Sequence, residues 1–273
     1  HEPPPPDEEA QVPVSSATEP LKPQPPKGDT PLTNKDQTGK FIQTRQHLRF
    51  VEAANACRSS RSLYVCTGKP GVGKEASAQF YCQWPYIKSL LDTPRRPQTA
   101  PPKLDNCHTV YWDAEINCTI KKLHSTLNVL RNKFDSLIQD SLNWHEPERL
   151  RQQQLPGTDF LELIIVNHAH RLSFLCLEAI NDYRKNNNIG FLLLGIPGFD
   201  RRIKFYDPVG VDVSLYHQYS SPRAEELKQI LELRWKLEGL TVEDAAITAI
   251  EQITSSNIQK ALNIQTEIER FAA

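Results

Sequence analysis

The stretch CTGKPGVGKEASAQF, residues 66–80, decides the fold of this chain. It follows the apolar run SLYVC and leads into residues with helical spacing, so a glycine-rich turn joins a strand to a helix. The glycines let the backbone turn tightly and present its amides to an anion, and the lysine supplies a cation. The residues of this predicted phosphate loop are Gly68, Pro70, Gly71, Val72, Gly73, Lys74 and Glu75.

The residue after Lys74 departs from the usual pattern of such loops, in which a Ser or Thr hydroxyl coordinates Mg²⁺. Glu75 brings a carboxylate, which can bind the metal but repels phosphates at short range. We therefore expect ATP or ADP to bind weakly or in a regulatory role. The candidate ligands for Mg²⁺ are Glu75 and Asn167.

Four apolar runs separated by helix-length segments predict a mostly parallel sheet with helices on both faces, which is an α/β fold of the P-loop NTPase type. A fifth run alternates less cleanly and is predicted to lie at an edge of the sheet. The five runs are SLYVC (62–66), HTVYW (108–112), LELIIV (161–166), GFLLLG (190–195) and VDVSLYHQY (211–219).

Changes in composition divide the chain into a Pro-rich tail (1–36), an α/β domain (37–220) and a small all-helical lid domain (221–273). Ten of the 21 prolines fall in the first 31 residues, where too little apolar surface is present to offset the entropy of ordering. In the lid, Pro222 and the pair Thr241 and Asp244 resemble signals for the start of a helix.

Composition excludes several classes of protein. A net charge of -1 with 24% charged residues lacks the basic excess of a dedicated nucleic-acid binder. No apolar run is long enough to cross a bilayer, and the six cysteines contain no CxxC pair, so we expect a cytoplasmic protein with reduced thiols. Because the chain begins at His1 and contains no Met, we expect that His1 is not the native translation start.

The strand end in LELIIVNHAHRL bears on catalysis. P-loop ATPases with an additional strand carry Asp-Glu here, the Asp for the magnesium shell and the Glu for the attacking water. Asn167 and His168 occupy these positions, which predicts impaired hydrolysis. An imidazole can also accept a proton near neutral pH, so activation of water by His168 stays open.

The chain resembles the AAA+ ATPases of bacterial transposition systems, the TnsC, TniB and MuB type of target-selection regulator, from about Gln43 to Phe271. The resemblance implies an ATP-bound homo- or hetero-oligomer on DNA in the prokaryotic cytoplasm or nucleoid. It also implies recruitment of a transposase and disassembly by hydrolysis. It is carried by QTRQHLRFVEAANACRSSRSLYVCTGKPGVGKEASAQFYCQW (43–84), LIIVNHAHRL (163–172), IGFLLLGIPGFDRRIKFYDPVGVDVSLYHQYSSPRAEELKQILELRW (189–235) and SSNIQKALNIQTEIERF (255–271).

Residue by residue, the resemblance holds at Lys74 and the loop glycines and fails at the catalytic positions. Ile196 stands near the polar sensor of the family and Asp212 near its arginine finger, while Gln259 or Lys260 falls near the second sensor. An acid near a neighbour's ATP would remove transition-state stabilisation. The degenerate catalytic positions are therefore Glu75, Asn167, His168 and Asp212.

DNA contacts must come from local basic groups that track the phosphate backbone without reading sequence. The first candidate is the cluster Arg201, Arg202 and Lys204, beside several aromatic residues. Other basic residues are better explained as solvated helix or loop faces. They are Arg95, Arg96, Lys103, Lys121, Lys122, Arg131, Lys133, Arg184 and Lys185.

Three hypotheses follow. The leading one is a degenerate AAA+ module that binds nucleotide and acts as an assembly or adaptor protein with DNA and a transposase or an active paralogue. The second is an active DNA-dependent ATPase in which Glu75 and His168 take over metal binding and water activation. The third is a protein-interaction scaffold that needs no nucleotide and acts through the Pro-rich tail.

Overall fold

The structure is a computed structural model, which describes residues 41–93, 100–104, 107–148, 160–234 and 243–272. The Pro-rich tail (1–36), the basic residues Arg95 and Arg96, and Thr241 lie outside the described residues. None of the described helices combines the length and the apolar character that a membrane crossing requires.

Five parallel strands form one sheet in the order β2-β3-β4-β1-β5. β1 therefore lies between β4 and β5, and β5 forms an edge, as predicted. Each of the first three strands ends one residue later than its apolar run, because the polar residue that follows still pairs in the ladder. The strands are β1 (Leu63–Thr67), β2 (Thr109–Asp113), β3 (Leu163–Asn167), β4 (Gly190–Gly195) and β5 (Val213–Gln218).

Helices cover both faces of the sheet, which confirms the predicted α/β P-loop NTPase fold. Within β3, Ile164 and Val166 belong to one buried apolar cluster, and Leu163 and Ile165 to another on the opposite face. Burial on both faces explains why the strands read as continuous apolar runs. The helices of this domain are α1 (Arg45–Ser60), α2 (Lys74–Tyr81), α3 (Trp84–Asp92), α4 (Ile120–His145), α5 (Phe174–Asn187), α6 (Phe199–Lys204) and α7 (Asp207–Gly210), with a 3₁₀ turn at Ala169–Arg171.

Three of these helices begin at side-chain caps. The hydroxyls of Thr44, Thr119 and Ser173 each accept a hydrogen bond from the backbone amide three residues on, at the starts of α1, α4 and α5. Such a cap satisfies an amide that has no partner within its own helix. The chain therefore enters α1 and α5 at fixed positions on either side of the sheet.

The lid consists of α8 (Ala224–Arg234), α9 (Asp244–Thr254) and α10 (Ile258–Ala272). It has a small apolar cluster of its own, made of Leu227, Leu231, Ile247, Ile250 and Ala261. The expectation that Pro222 lies in a first helical turn is wrong, because α8 begins two residues later. There the carboxylate of Glu226 accepts the amide of Arg223 at 2.9 Å and fixes the start of the helix.

Candidate nucleotide-binding site

The phosphate loop joins β1 to α2 at the carboxyl edge of the sheet. The backbone of Gly68 passes so close to Tyr219 that an added Cβ would lie 2.3 Å from its carbonyl oxygen. Gly71 and Gly73 have φ angles of 77° and 103°, in the left-handed region that favours glycine. The three glycines predicted for the loop are thus each required by its geometry.

Lys74 opens α2 and turns back into the loop. Its Nζ donates to the carbonyls of Gly68 at 2.7 Å and Lys69 at 2.9 Å. Burial lowers the pKa of the ammonium, while the nearby Glu75 carboxylate opposes that shift. Phosphate oxygens can replace these carbonyls as acceptors. The Lys74 ammonium therefore already lies beside the place where a phosphate would bind.

A cavity of about 550 Å³ lies beside the loop, within the range of small-molecule sites. One part of its lining is polar and comes from the loop and the end of β3, and another part is apolar and comes from the segment before α1 and from the lid. The polar group includes Lys74, Glu75, Asn167, His168, His170 and Arg171, and the apolar group includes Phe41, Ile42, Ile230, Leu233 and Leu262. Such a lining suits a ligand with an anionic and an apolar part.

The end of β3 is tied to the end of β2. His168 Nδ1 lies 2.6 Å from Asp113 Oδ1, which makes a hydrogen bond from the imidazole to the carboxylate. The amide nitrogen of Asn167 lies 3.5 Å from the same oxygen. His168 also has a φ of 51°, which is unusual for a residue other than glycine. Sequence reasoning placed the strand end before Asp113 and so missed this acid.

The residues predicted to bind Mg²⁺ are turned toward partners in the chain. Glu75 Oε1 accepts from the Tyr111 hydroxyl at 3.3 Å and from the Gln79 amide at 3.2 Å. Asn167 directs its amide nitrogen, which cannot ligate a metal, toward Asp113. Among the described residues, no group of three or more His, Cys, Asp or Glu side chains is arranged to hold a metal ion. These residues do not fit the magnesium shell expected of the fold.

The lid contacts the phosphate loop directly through the start of α10. Asn257 Nδ2 donates to the carbonyl of Pro70 at 2.7 Å. The backbone amide of Gln259 donates to the carbonyl of Gly71 at 3.2 Å. The Asn257 Oδ1 also accepts the amide of Lys260 at 3.1 Å and so caps the helix. We call these contacts the lid latch. Of the two predicted sensor positions, Gln259 is the one among the described lining residues of the cavity.

The other two positions carried over from the family differ in their surroundings. Ile196 lines the cavity and is 40% exposed. Asp212 accepts hydrogen bonds of 2.6 Å from Lys185 Nζ and Asn181 Nδ2, which hold the pKa of its carboxyl below the usual value. Within its own chain, α5 therefore engages the Asp212 carboxylate.

The predicted DNA-binding cluster is divided by the fold. Arg202 donates to the carbonyls of His170 and Leu172 at 2.7 and 2.6 Å, and its guanidinium lies 4.6 Å from the centre of the Phe174 ring. Arg202 therefore braces the 3₁₀ turn, and its guanidinium is engaged within the chain. Arg201 and Lys204 line a second cavity on the outer side of the phosphate loop.

The remaining basic groups are predicted to lie on solvated helix or loop faces. Several pair with acids of their own chain, and these pairs are Lys103 with Glu146, Lys122 with Glu115, Arg131 with Asp135 and Lys185 with Asp212. Surface pairs of this kind contribute little to stability. They leave less free positive charge for DNA than the count of basic residues indicates.

Three cavity residues were missed at the sequence level. Arg171 ends the 3₁₀ turn after His168, and Arg234 reaches the cavity from the lid. His170 lies with its ring centre 5.8 Å from that of His168, and burial, followed by the charges around it, lowers its pKa. The pattern NHAHRL offered a signal, since its last basic residue follows a strand end by only four positions.

Comparisons with known proteins agree with this geometry. No protein-family model matches the chain. It is similar to a potential ATP-binding protein of Staphylococcus aureus, with 25% identity over 247 residues, which covers 85% of this chain and 88% of that protein.

Among solved structures, a point mutant of Thermotoga maritima RuvB superimposes with a TM-score of 0.51 at 13% identity over 84% of this chain. The chain spans 63% of the length of that RuvB. Domain III of the DnaA replication initiation protein from the same organism gives 0.45 at 12% identity, covering 85% of this chain and 86% of the domain. The five-stranded parallel sheet and the phosphate loop give this chain an α/β P-loop NTPase fold, as in RuvB.

Proposed function

We propose that this protein is an AAA+-type nucleotide-binding assembly or adaptor protein that binds ATP or ADP beside Lys74 and hydrolyses ATP slowly. One observation carries the proposal: the phosphate loop, the end of β3 and the lid border a single cavity. The lid latch then makes the position of the lid sensitive to what the loop binds. The description of the Staphylococcus aureus relative as a potential ATP-binding protein supports the choice of ligand.

Slow hydrolysis follows from the groups at the end of β3. Asn167 is neutral, and its amide nitrogen is directed at Asp113. The position beyond it holds an imidazole instead of a carboxylate base. The proposed loss of charge at both positions weakens the activation of water.

A second candidate is the working ATPase, and the pair of Asp113 and His168 is the observation in its favour. A carboxylate that accepts from Nδ1 fixes the tautomer and leaves Nε2 able to accept a proton. Water would attack the terminal phosphorus, its proton would pass to Nε2, and the bond to the bridging oxygen would break to release ADP. Turnover that falls sharply in His168→Gln with unchanged nucleotide affinity would favour this candidate.

The partners we propose are DNA and a transposase or an active paralogue, in an oligomer in the cytoplasm. The support is the resemblance to transposition regulators and the pair Arg201 and Lys204, which line one cavity. We expect Arg201→Ala to weaken binding to a duplex of any sequence and to lower the salt slope by about 1. The scaffold hypothesis stays open, and a truncation lacking residues 1–36 tests whether partner capture depends on the tail.

The test of nucleotide binding is calorimetry with ATP and with ADP on the unchanged protein and on Lys74→Ala, with phosphate release followed in the same samples. Loss of a charge-assisted contact to phosphate predicts binding weaker by roughly 10- to 100-fold in the variant. Lys88→Ala, which removes an exposed lysine of α3, is the matched control and leaves affinity unchanged. Absence of ATP and ADP binding by the unchanged protein would refute the proposal.

A further inference from the structure

We infer that the cavity binds the free nucleotide anion instead of its magnesium complex, and that Lys74, Arg171 and Arg234 supply the positive charge that a metal ion provides in other P-loop proteins. This inference rests on the proposed nucleotide binding and deepens it by naming the ionic form of the ligand. It concerns the affinity for nucleotide and requires no step of hydrolysis.

The first step is that the acids near the loop are engaged elsewhere. Glu75 is held by Tyr111 and Gln79, at 3.3 and 3.2 Å. Asp113 accepts from His168 at 2.6 Å, so the carboxylate nearest to the end of β3 faces an imidazole. Mg²⁺ prefers carboxylate and hydroxyl oxygens in a nearly octahedral shell. At this edge of the sheet, Glu75 Oε1 and Asp113 Oδ1 already accept hydrogen bonds, and no group of three or more His, Cys, Asp or Glu side chains among the described residues is arranged to hold a metal ion.

The second step is the charge of the lining. Among its described residues, Lys74, Arg171 and Arg234 are cations and Glu75 is the single carboxylate. A triphosphate without a metal carries more negative charge than its magnesium complex. The excess of cations therefore favours the metal-free ligand.

The third step is that the cations come from three separate parts of the fold. Lys74 opens α2, Arg171 follows β3 and Arg234 lies on α8 of the lid. The 3₁₀ turn that carries Arg171 is held in place, because Arg202 of α6 donates to the carbonyls of His170 and Leu172. The backbone on either side of Arg171 is therefore fixed, and a planar guanidinium fork suits phosphate oxygens better than the point charge of an ammonium.

The fourth step concerns the groups that replace acids. Asn167 and His168 line the cavity at the two positions where a P-loop ATPase places carboxylates. An imidazole, unlike a carboxylate, does not repel a phosphate. The same substitutions that remove the metal shell thus also remove the repulsion that the metal normally screens.

Calorimetry with ATP in excess EDTA and in excess MgCl₂ tests the inference on the whole chain. We expect the affinity in EDTA to equal or exceed that in MgCl₂. We expect Arg171→Ala to weaken binding in EDTA by about tenfold or more, since it removes a charge-assisted contact. Arg270→Ala, which removes an exposed arginine of α10, is the matched control and is expected to leave both affinities unchanged.

The outcomes separate this inference from the proposed function. Binding that is at least tenfold tighter with Mg²⁺ overturns the inference and leaves nucleotide binding in place. Equal affinity of Arg171→Ala and the unchanged protein in EDTA overturns the role of that arginine. Absence of binding in both buffers refutes the proposed function itself. Partial recovery by Arg171→Lys, compared with Arg171→Ala, supports a role for the charge.

Discussion

Replacement of Asn257 by Asp separates the two hydrogen bonds that this one side chain makes. An aspartate keeps the oxygen that caps α10 at Lys260 but loses the amide that donates to Pro70. Asp and Asn cap helices equally well, so the cap survives in Asn257→Asp. A hydrogen bond of this kind contributes about 1 kcal/mol, and the lid latch is expected to weaken by that amount.

Hydrogen exchange of two backbone amides measures the lid latch and the helix cap separately. The amide of Gln259 donates to Gly71 across the latch, whereas that of Lys260 donates to the cap. In Asn257→Asp we expect Gln259 to exchange roughly fivefold faster, which corresponds to about 1 kcal/mol, and Lys260 to be unaffected.

Asn257→Ala loses the cap as well as the latch, so both amides should exchange faster and the total local cost is about 1–3 kcal/mol. Amides in the central strands serve as the internal control, because they exchange through opening of the whole domain. Unchanged exchange at Gln259 in Asn257→Asp would refute the reasoning, since the bond to Pro70 would then contribute nothing to holding the lid.

Three further predictions follow from the packing and charges. Because hydrogen bonds from Lys185 and Asn181 depress the pKa of Asp212 in the fold, its stabilisation is present at neutral pH and is lost as pH falls through the depressed pKa. Asp212→Asn should cost about 0.5–1 kcal/mol at pH 7 in urea unfolding, with the difference narrowing below about pH 4 and nucleotide affinity unchanged. Phe191→Ala, in the fully buried core, should lower the free energy of unfolding by about 3–5 kcal/mol in the same assay. Among the six thiols, alkylation followed by mass spectrometry should modify Cys118 first, because the other five are buried; earlier labelling of a buried thiol would contradict the packing.

The fold and the phosphate loop were predictable because their signals are local. Five apolar runs gave the strands, and the glycine spacing before Lys74 gave the loop, each within a few residues of sequence. Helix starts were less predictable. Pro222 suggested an earlier start for α8 than the carboxylate of Glu226 sets, because the capping contact depends on a side chain further along the chain.

The details of the site depend on contacts between distant residues. Asn257 and Pro70 are 187 positions apart, and His168 and Asp113 are 55 apart. No local pattern in the sequence indicates that these side chains meet. Arg201 and Arg202 are adjacent and chemically identical in the sequence. Only the fold shows that Arg202 is the one that donates to the carbonyls of His170 and Leu172.

The position of β1 in the sheet has a consequence for how the protein is made. β1 pairs with β4 and β5. Leu63 can therefore form its pairings only after Phe191 and Val213 have been synthesised. Pairings between such distant segments slow folding and leave an apolar strand exposed in the growing chain. Gly68 of the phosphate loop lies against the carbonyl of Tyr219, just past β5, so we expect the loop to reach its final shape late and nucleotide to have no part in early folding. We expect ligand to slow the unfolding of the finished domain without accelerating its assembly.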